Sequence, residues 1–340
     1  MTTSSAALSA SGSAADFRRL SAAAAAQCRT AIEHLRATSP LVDNGAFIDA
    51  AKTLSSLLPA SMCTVLDEFQ SIGNNEGRLV IEGLPVCADL PLTPQIPNSV
   101  ARETTPAVGA LALVMSHLGD PIAYPEEKLG ALVHDVCPVP GEENEQQNTG
   151  SVLFELHTEN AFHPVRPDFL GLLCLRTDHD GRAASVTSSI LQALPRLGEH
   201  HLTVLREPRF QTRLAPSFCR NRPDRPYHAA VPVLTGTTER PLLCVDFDDT
   251  RGCDRAAERA LDALHAALRD VRVETLLRPG SLVILDNSVT VHGRNAFTPR
   301  YDGRDRWLQR MFAIRSARRT ADMFQPGSAF LLRELSTPPP

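Results

Sequence analysis

Residues 154–176 read FELHTENAFHPVRPDFLGLLCLR. The run at 168–175, which begins with Asp168 after Pro167 and is otherwise apolar or Gly, is typical of a buried β-strand. His157 and Glu159 stand two positions apart ahead of this strand, and on an extended chain such residues project from the same face. The stretch therefore predicts a strand-rich core with an imidazole and a carboxylate on one side.

The rest of the chain extends this pattern to an α+β fold. Strands and helices do not alternate regularly, which favours a mostly antiparallel barrel or sandwich flanked by helices over a doubly wound sheet. We expect one domain over residues 16–335, mostly helical at 16–120, with a β-rich core at 121–325, a lid at about 213–230 and a disordered tail at 1–15. Strands are predicted at 128–138, 168–175, 183–187, 242–247, 281–285 and 307–314, and helices at 16–37, 45–58, 99–118 and 254–273.

Composition and charge narrow the classes of function. The 340 residues carry a formal net charge of -5, so the chain has no overall positive field to attract nucleic acid or an anionic membrane. The eight cysteines form no C-x-x-C pair, which indicates thiols in a reduced compartment and predicts a cytoplasmic protein. The sequence also lacks the P-loop, dinucleotide-binding, serine-hydrolase and H-E-x-x-H zinc motifs.

A metal site is the chemistry that remains. His157 and Glu159 alone are a weak signal, because a chain with 11 histidines and 39 acids contains about one such triplet by chance. His292 follows the buried-strand pattern SLVILDN and supplies a third ligand. Two imidazoles and one carboxylate form the facial triad of non-heme Fe(II) oxygenases. Arg306 begins another apolar strand, where its guanidinium could hold the distal carboxylate of a keto acid.

These residues carry a resemblance to a known family. Residues 157–176, together with VHGR at 291–294 and Arg306, resemble the clavaminate-synthase-like branch of the Fe(II)/2-oxoglutarate dioxygenases. Within that branch the chain is most similar to the free amino-acid hydroxylases that act on asparagine and arginine. The resemblance covers roughly residues 75–325 and implies a double-stranded β-helix, or jelly-roll, core.

The resemblance also implies roles for individual residues. His157, Glu159 and His292 would be catalytic iron ligands, Arg306 would pair with the C5 carboxylate of 2-oxoglutarate, and Thr187 would place a hydroxyl near this cofactor. On the substrate side, the implied residues are Glu127 or Glu126 for the α-ammonium, Asn148 for the amino-acid backbone, and Asp246, with Asp248 nearby, for the side-chain head.

The identity of the amino acid stays open at this point. A carboxylate such as Asp246 accepts hydrogen bonds equally from an amide, a ureido group or a guanidinium. Residues 213–218 (RLAPSF) lack the acid expected of an arginine enzyme, and the nearest acid is Asp224. This favours asparagine, glutamine or citrulline and leaves arginine possible.

The implied reaction is hydroxylation at C3 of a free L-amino acid, using O2 and 2-oxoglutarate, for antibiotic or nonribosomal peptide biosynthesis. Two alternatives remain. One keeps the cofactors but gives desaturation or ring closure. The other is a jelly-roll protein that binds an amino acid without catalysis.

Overall fold

The computed structural model describes residues 19–219 and 225–335. The predicted tail at 1–15, the middle of the predicted lid with Asp224, and residues 336–340 lie outside these ranges. The described residues contain seven α-helices and fourteen β-strands. The helices are α1 (Ala22–Thr38), α2 (Gly45–Leu54), α3 (Ala60–Ile72), α4 (Pro106–Leu118), α5 (Ile190–Ala193), α6 (Glu199–Leu205) and α7 (Arg255–Asp270).

The strands are short except for two of eight residues. They are β1 (Arg78–Ile81), β2 (Asp120–Ile122), β3 (His134–Val136), β4 (Phe154–His157), β5 (Phe169–Arg176), β6 (Ser185–Ser189), β7 (Phe210–Thr212), β8 (Leu234–Gly236), β9 (Pro241–Leu243), β10 (Thr250–Gly252), β11 (Val273–Thr275), β12 (Leu282–Asp286), β13 (Thr290–Arg294) and β14 (Trp307–Ile314).

The larger sheet has six antiparallel strands in the order β1-β12-β5-β14-β2, with β3 also paired to β14. Side chains alternate between the two faces of a strand. In β5 both faces carry apolar side chains, and each face packs against a different layer. Phe169 and Leu173 pack with α1–α4, whereas Leu170 and Leu172 join the cluster on the opposite face. Burial on both faces explains why β5 reads as a continuous apolar run.

The smaller sheet has four antiparallel strands in the order β11-β6-β13-β4. Val186 of β6 and Val291 of β13 pack with Leu264 of α7 in a second core. Their strand neighbours Thr187 and His292 therefore point to the other face of the sheet. This face is turned toward the six-stranded sheet, and the polar groups between the two sheets form the candidate site.

Gly293 allows two strands of the smaller sheet to approach closely. A Cβ atom at this position would lie 2.4 Å from the carbonyl oxygen of Phe154 in β4. Real Cβ atoms do not tolerate that distance to a rigid backbone atom. The close approach brings the strand carrying His292 against the strand carrying His157.

The predicted α+β class is confirmed, and several element boundaries differ. The strand predicted at 307–314 coincides with β14. Helix α4 begins at Pro106 rather than at 99, because Thr105 accepts a hydrogen bond from the Val108 amide and Pro suits the first helical turn. Helix α3 was not predicted. The strand predicted at 128–138 is wrong in its first part, since Lys128 and Leu129 adopt positive φ angles of 48° and 60° in a tight turn.

No helix among the described residues is both long enough and apolar enough to span a bilayer.

The α4–β5 contact predicts a large stability difference between two apolar truncations. Leu111 is fully buried in α4 and lies over Gly171 of β5, whereas the side chain of Ile72 at the end of α3 is 69% exposed. Leu111→Ala should lower the free energy of unfolding by about 2–5 kcal/mol. Ile72→Ala, the matched control, should change it by no more than about 0.5 kcal/mol. Urea denaturation measures both, and equal effects would contradict this packing.

Candidate metal centre and substrate cavity

Three potential metal ligands meet between the sheets. His157 ends β4 and lies opposite His292 of β13 in the antiparallel register, and Glu159 follows two residues after β4. One ligand atom from each residue lies within 4.8 Å of the other two, and all three side chains are buried. The structure thus brings together the three residues that the sequence singled out, although 135 positions separate the two histidines.

Hydrogen bonds orient these three residues. Nδ1 of His157 lies 2.9 Å from the carbonyl oxygen of Glu155, so this nitrogen donates and Nε2 is the ring atom left for a metal ion. Nε2 of His292 lies 3.3 Å from Oε2 of Glu159. The Asn287 amide holds the Glu159 backbone, accepting from its N–H at 2.8 Å and donating to its carbonyl at 3.1 Å. The imidazole of His157 and the backbone that carries the Glu159 carboxylate are therefore held in place before any ion binds.

The ionisation states suit a divalent cation. Burial alone would raise the pKa of Glu159, but Arg310 and the two imidazoles outweigh burial and hold this pKa below its usual range. Burial, followed by the charge of His157, lowers the pKa of His292 to about 4. An ionised carboxylate and an unprotonated imidazole are the forms that bind metal.

A cavity of about 410 Å³ opens beside this centre. His157 and Glu159 contribute to its wall. Of the residues predicted to bind substrate, Glu127, Asn148, Asp246 and Asp248 also line it. Burial raises the pKa of Asp246 to about 6, with the charge of His157 opposing this rise.

Glu126 is not brought to this cavity. Its Oε1 atom accepts a hydrogen bond of 2.6 Å from the backbone amide of Leu335, and the residue is absent from the cavity wall. The tight turn at Lys128 and Leu129 directs the next carboxylate along, Glu127, into the cavity instead. Of the two carboxylates weighed for the α-ammonium, the geometry supports Glu127.

Arg310 is a central residue that the sequence interpretation missed. This buried residue of β14 donates from Nη1 to Oε1 of Glu159 at 3.0 Å, and its Nη2 contacts Oε1 of Glu127 and Nδ1 of His134 at 2.9 Å. With its amide oxygen turned toward Arg310, Asn148 accepts from Nη1 at 2.8 Å. Arg310 lies four residues after Arg306 and on the same strand face. A second arginine inside an apolar strand was the signal that could have revealed it.

Thr187 lies on the smaller sheet beside the metal centre, and Arg306 reaches this sheet from the position just before β14. Thr187 of β6 is the register partner of His292, and Ser185, two residues earlier, is the partner of Arg294. Nη2 of the buried Arg306 lies 3.5 Å from Oγ of Ser185. Since i and i+2 share a face, Arg306 reaches the sheet about 6.6 Å from Thr187 along β6.

The surroundings of Arg306 are electropositive. Burial, together with the charge of Arg306, lowers the pKa of the neighbouring Arg294 to about 9. Arg306 lines a separate cavity of about 190 Å³ with Cys174 and Asp178, and neither Arg306 nor Thr187 lines the 410 Å³ cavity. Two buried guanidinium groups thus lie close together, Arg294 from β13 of the smaller sheet and Arg306 from the position just before β14 of the larger sheet.

Comparisons with known proteins place this geometry in context. The family model described as "Taurine catabolism dioxygenase TauD, TfdA family" matches residues 65–312. The chain is 43% identical over 291 residues to the L-asparagine oxygenase of Streptomyces coelicolor, covering 85% of this chain and 86% of that one.

Two solved structures are also similar. A structure of asparagine oxygenase in complex with Fe(II), 2S,3S-3-hydroxyasparagine and succinate superimposes with a TM-score of 0.89 and 40% identity, over 92% of this chain and 98% of that chain. A structure of the non-heme iron oxygenase OrfP in complex with Fe and alpha-ketoglutaric acid gives a TM-score of 0.81 and 29% identity, over 93% and 99% of the two chains.

The three converging side chains predict a metal-binding phenotype that can be measured without turnover. His292→Ala removes one of three ligands and should weaken Co(II) or Fe(II) binding by more than about 100-fold, since even indirect partners of metal ligands are worth about 10- to 100-fold. His200→Ala removes an exposed histidine and should leave the affinity unchanged. Anaerobic titration calorimetry measures both. Wild-type affinity in a folded His292→Ala variant would show that the ion binds elsewhere.

Proposed function

The chain belongs to the TauD/TfdA dioxygenase family, and on that premise we propose that it is an Fe(II)- and 2-oxoglutarate-dependent enzyme that hydroxylates C3 of a free L-amino acid with a polar side chain. The observation that carries this proposal is the buried group formed by His157, Glu159 and His292 at the wall of a cavity large enough for an amino acid. The relatives named above support the same chemistry.

The residues present fit Fe(II). Two imidazoles and one carboxylate on adjacent backbone segments are the ligand set of non-heme iron oxygenases, which leave positions open for a co-substrate and O2. The hydrogen bond from His157 to the Glu155 carbonyl and the Asn287 clamp on Glu159 are the supporting contacts that such ligands require. In this proposal His157, Glu159 and His292 hold the iron.

Arg306 and Thr187 would hold 2-oxoglutarate. Arg306 is buried, and a guanidinium fork pairs bidentately with a carboxylate. Its separation from Thr187 along β6 would suit a five-carbon diacid. When bound, the iron and 2-oxoglutarate use O2 to convert a C–H bond into C–OH and yield succinate and CO2.

Arg310 and Glu127 form a receptor for the charged end of an amino acid. Arg310 has a donor fork that suits the α-carboxylate, and Glu127 is an acceptor that suits the α-ammonium. Both groups are buried, both line the cavity, and they are already ion-paired to each other. Asn148 contacts Arg310 and extends this receptor.

Asp246 would hold the other end of the substrate, with Asp248 at the exposed rim. The backbone of Asp246 pairs with that of His157 in an isolated antiparallel bridge, so this carboxylate is anchored beside the metal ligands. An amino acid fixed at its α-groups by Glu127 and Arg310 and at its head by Asp246 spans the metal centre. The carbon between these two ends, C3, is then held toward the centre, and such positioning accounts for much of enzymatic rate enhancement.

We propose further that the two antiparallel sheets form the double-stranded β-helix of this family, within one domain over residues 16–335. The lack of a C-x-x-C pair among the eight cysteines in the sequence supports the proposal of a reducing, cytoplasmic location. A role in antibiotic or nonribosomal peptide biosynthesis accords with a free hydroxylated amino acid as product.

The reaction outcome is tested by product mass. The protein is loaded anaerobically with Fe(II), 2-oxoglutarate and one free amino acid, and air is then admitted. We expect succinate and an amino acid heavier by one oxygen atom in equal amounts, with the new hydroxyl at C3. His292→Ala serves as the inactive control. A product lighter by two hydrogen atoms would indicate desaturation or ring closure, and binding without succinate would indicate a non-catalytic protein.

Arg306→Ala should raise the KM for 2-oxoglutarate steeply. Loss of one partner of a buried charge pair costs about 2–5 kcal/mol, equivalent to roughly 30- to 4000-fold. The KM for the amino acid should change far less, because Arg310 and Glu127 remain. Arg304→Ala, an exposed arginine two residues earlier, is the matched control. An unchanged KM for 2-oxoglutarate would transfer this role to another cation.

A further inference from the structure

A three-residue charge cluster lies at the end of the cavity that carries Asp246. Asp249 is 8% exposed, and its Oδ1 lies 3.2 Å from Nη2 of Arg213. Its Oδ2 is ion-paired with Nη2 of Arg225. Arg225 is held further by a hydrogen bond of 2.8 Å from its Nε to the carbonyl of Leu214. One carboxylate therefore holds two guanidinium groups, and one positive charge is not balanced within the cluster.

This positive charge faces the predicted binding position of the substrate head. Arg225 and Asp249 both line the 410 Å³ cavity, as does Asp246. The backbone amide of Asp249 donates to Oδ1 of Asp246 at 3.2 Å, so the cluster and the Asp246 carboxylate are direct neighbours. The far end of the cavity consequently presents two carboxylate acceptors, Asp246 and the exposed Asp248 at the rim, beside a cationic donor, Arg225.

An acceptor beside a cationic donor is the complement of an amide. A carboxamide or ureido group carries NH2 donors and a carbonyl acceptor, whereas a guanidinium or ammonium group has donors only. A cationic head would satisfy Asp246 but would meet the like charge of Arg225, and like charges in contact are strongly unfavourable. The pairing of Asp249 with two arginines also removes one acid that a cationic head would otherwise use.

We propose that Arg225 is a specificity-determining residue that selects an amino acid with a neutral carboxamide or ureido side chain over a cationic one. Arg225 donates to the side-chain carbonyl oxygen while Asp246 accepts from the NH2 group. Asp249 is a positioning residue that holds Arg225 at the cavity wall. This inference rests on the proposed amino-acid hydroxylase function and deepens it by naming the substrate class.

The test uses pairs of substrates that are similar in side-chain length and differ in charge. L-citrulline is compared with L-arginine, and L-asparagine with L-2,4-diaminobutyrate, by kcat/KM for succinate formation in the iron-loaded enzyme. In the pair that the enzyme uses better, we expect kcat/KM for the neutral member to exceed that for the cationic member by at least about 10-fold. This ratio corresponds to the free energy of one hydrogen bond to a charged group. Arg225→Met should reduce this preference by about 10-fold or more, by lowering kcat/KM for the neutral member and raising it for the cationic one.

Two control variants separate specificity from folding. Arg251 stacks on Tyr227 at 3.6 Å and donates to Gln211, but it does not line the cavity, so Arg251→Met should leave the preference unchanged. Arg225→Lys keeps the charge and should retain most of the discrimination against the cationic member. A variant that merely misfolds lowers both members of a pair equally and does not move their ratio.

The possible failures are distinguishable. If the wild-type enzyme prefers the cationic members, or if an Arg225→Met variant with the wild-type melting temperature leaves the ratio at the wild-type value, the role of Arg225 is wrong while the hydroxylase function stands. If the wild-type protein forms no succinate with any amino acid, the proposed function itself fails.

Discussion

The antiparallel pairing of β4 with β13 is the contact on which the rest of the site depends. It sets His157 opposite His292, and Gly293 permits the close approach because a Cβ there would collide with the Phe154 carbonyl. A register slip of one residue would turn the His292 side chain toward the apolar layer beneath the sheet. Val291 of the same strand packs against that layer, so one strand register sets both the burial of Val291 and the position of His292.

Charged contacts bridge the inner faces of the two sheets. Arg310 from the larger sheet contacts Glu159 near the smaller sheet and Glu127 from the turn before β3. Buried ion pairs of this kind seldom add much net stability, because desolvation opposes the attraction. Their benefit here is placement, since a zwitterionic ligand can exchange contacts with groups that are already oriented.

Arg294 and Arg306 show a different balance between stability and function. Both are buried, Arg294 in β13 of the smaller sheet and Arg306 just before β14 of the larger sheet, and burial lowers the pKa of each guanidinium. Desolvated cations without a full set of anionic partners are unfavourable in the ligand-free protein. An anionic co-substrate would relieve this cost, which explains why the site violates the usual rule that buried charges are paired.

Local pattern alone predicts the strands β5, β12 and β14, because apolar runs are properties of short segments. The three candidate ligands and Arg306 are singled out from the sequence as well, but their roles rest on the resemblance to a known family. The choice of Glu127 over Glu126 follows from a left-handed turn at Lys128 and Leu129 that ends at Gly130, and the glycine by itself does not indicate which of the two carboxylates enters the cavity. Arg310 is positioned by contacts with Glu159 and Glu127, which lie 151 and 183 positions away in the chain. Arg225 is positioned by a contact with Asp249, which lies 24 positions away. Such contacts depend on how the sheets and loops pack in three dimensions, and no local pattern encodes that packing.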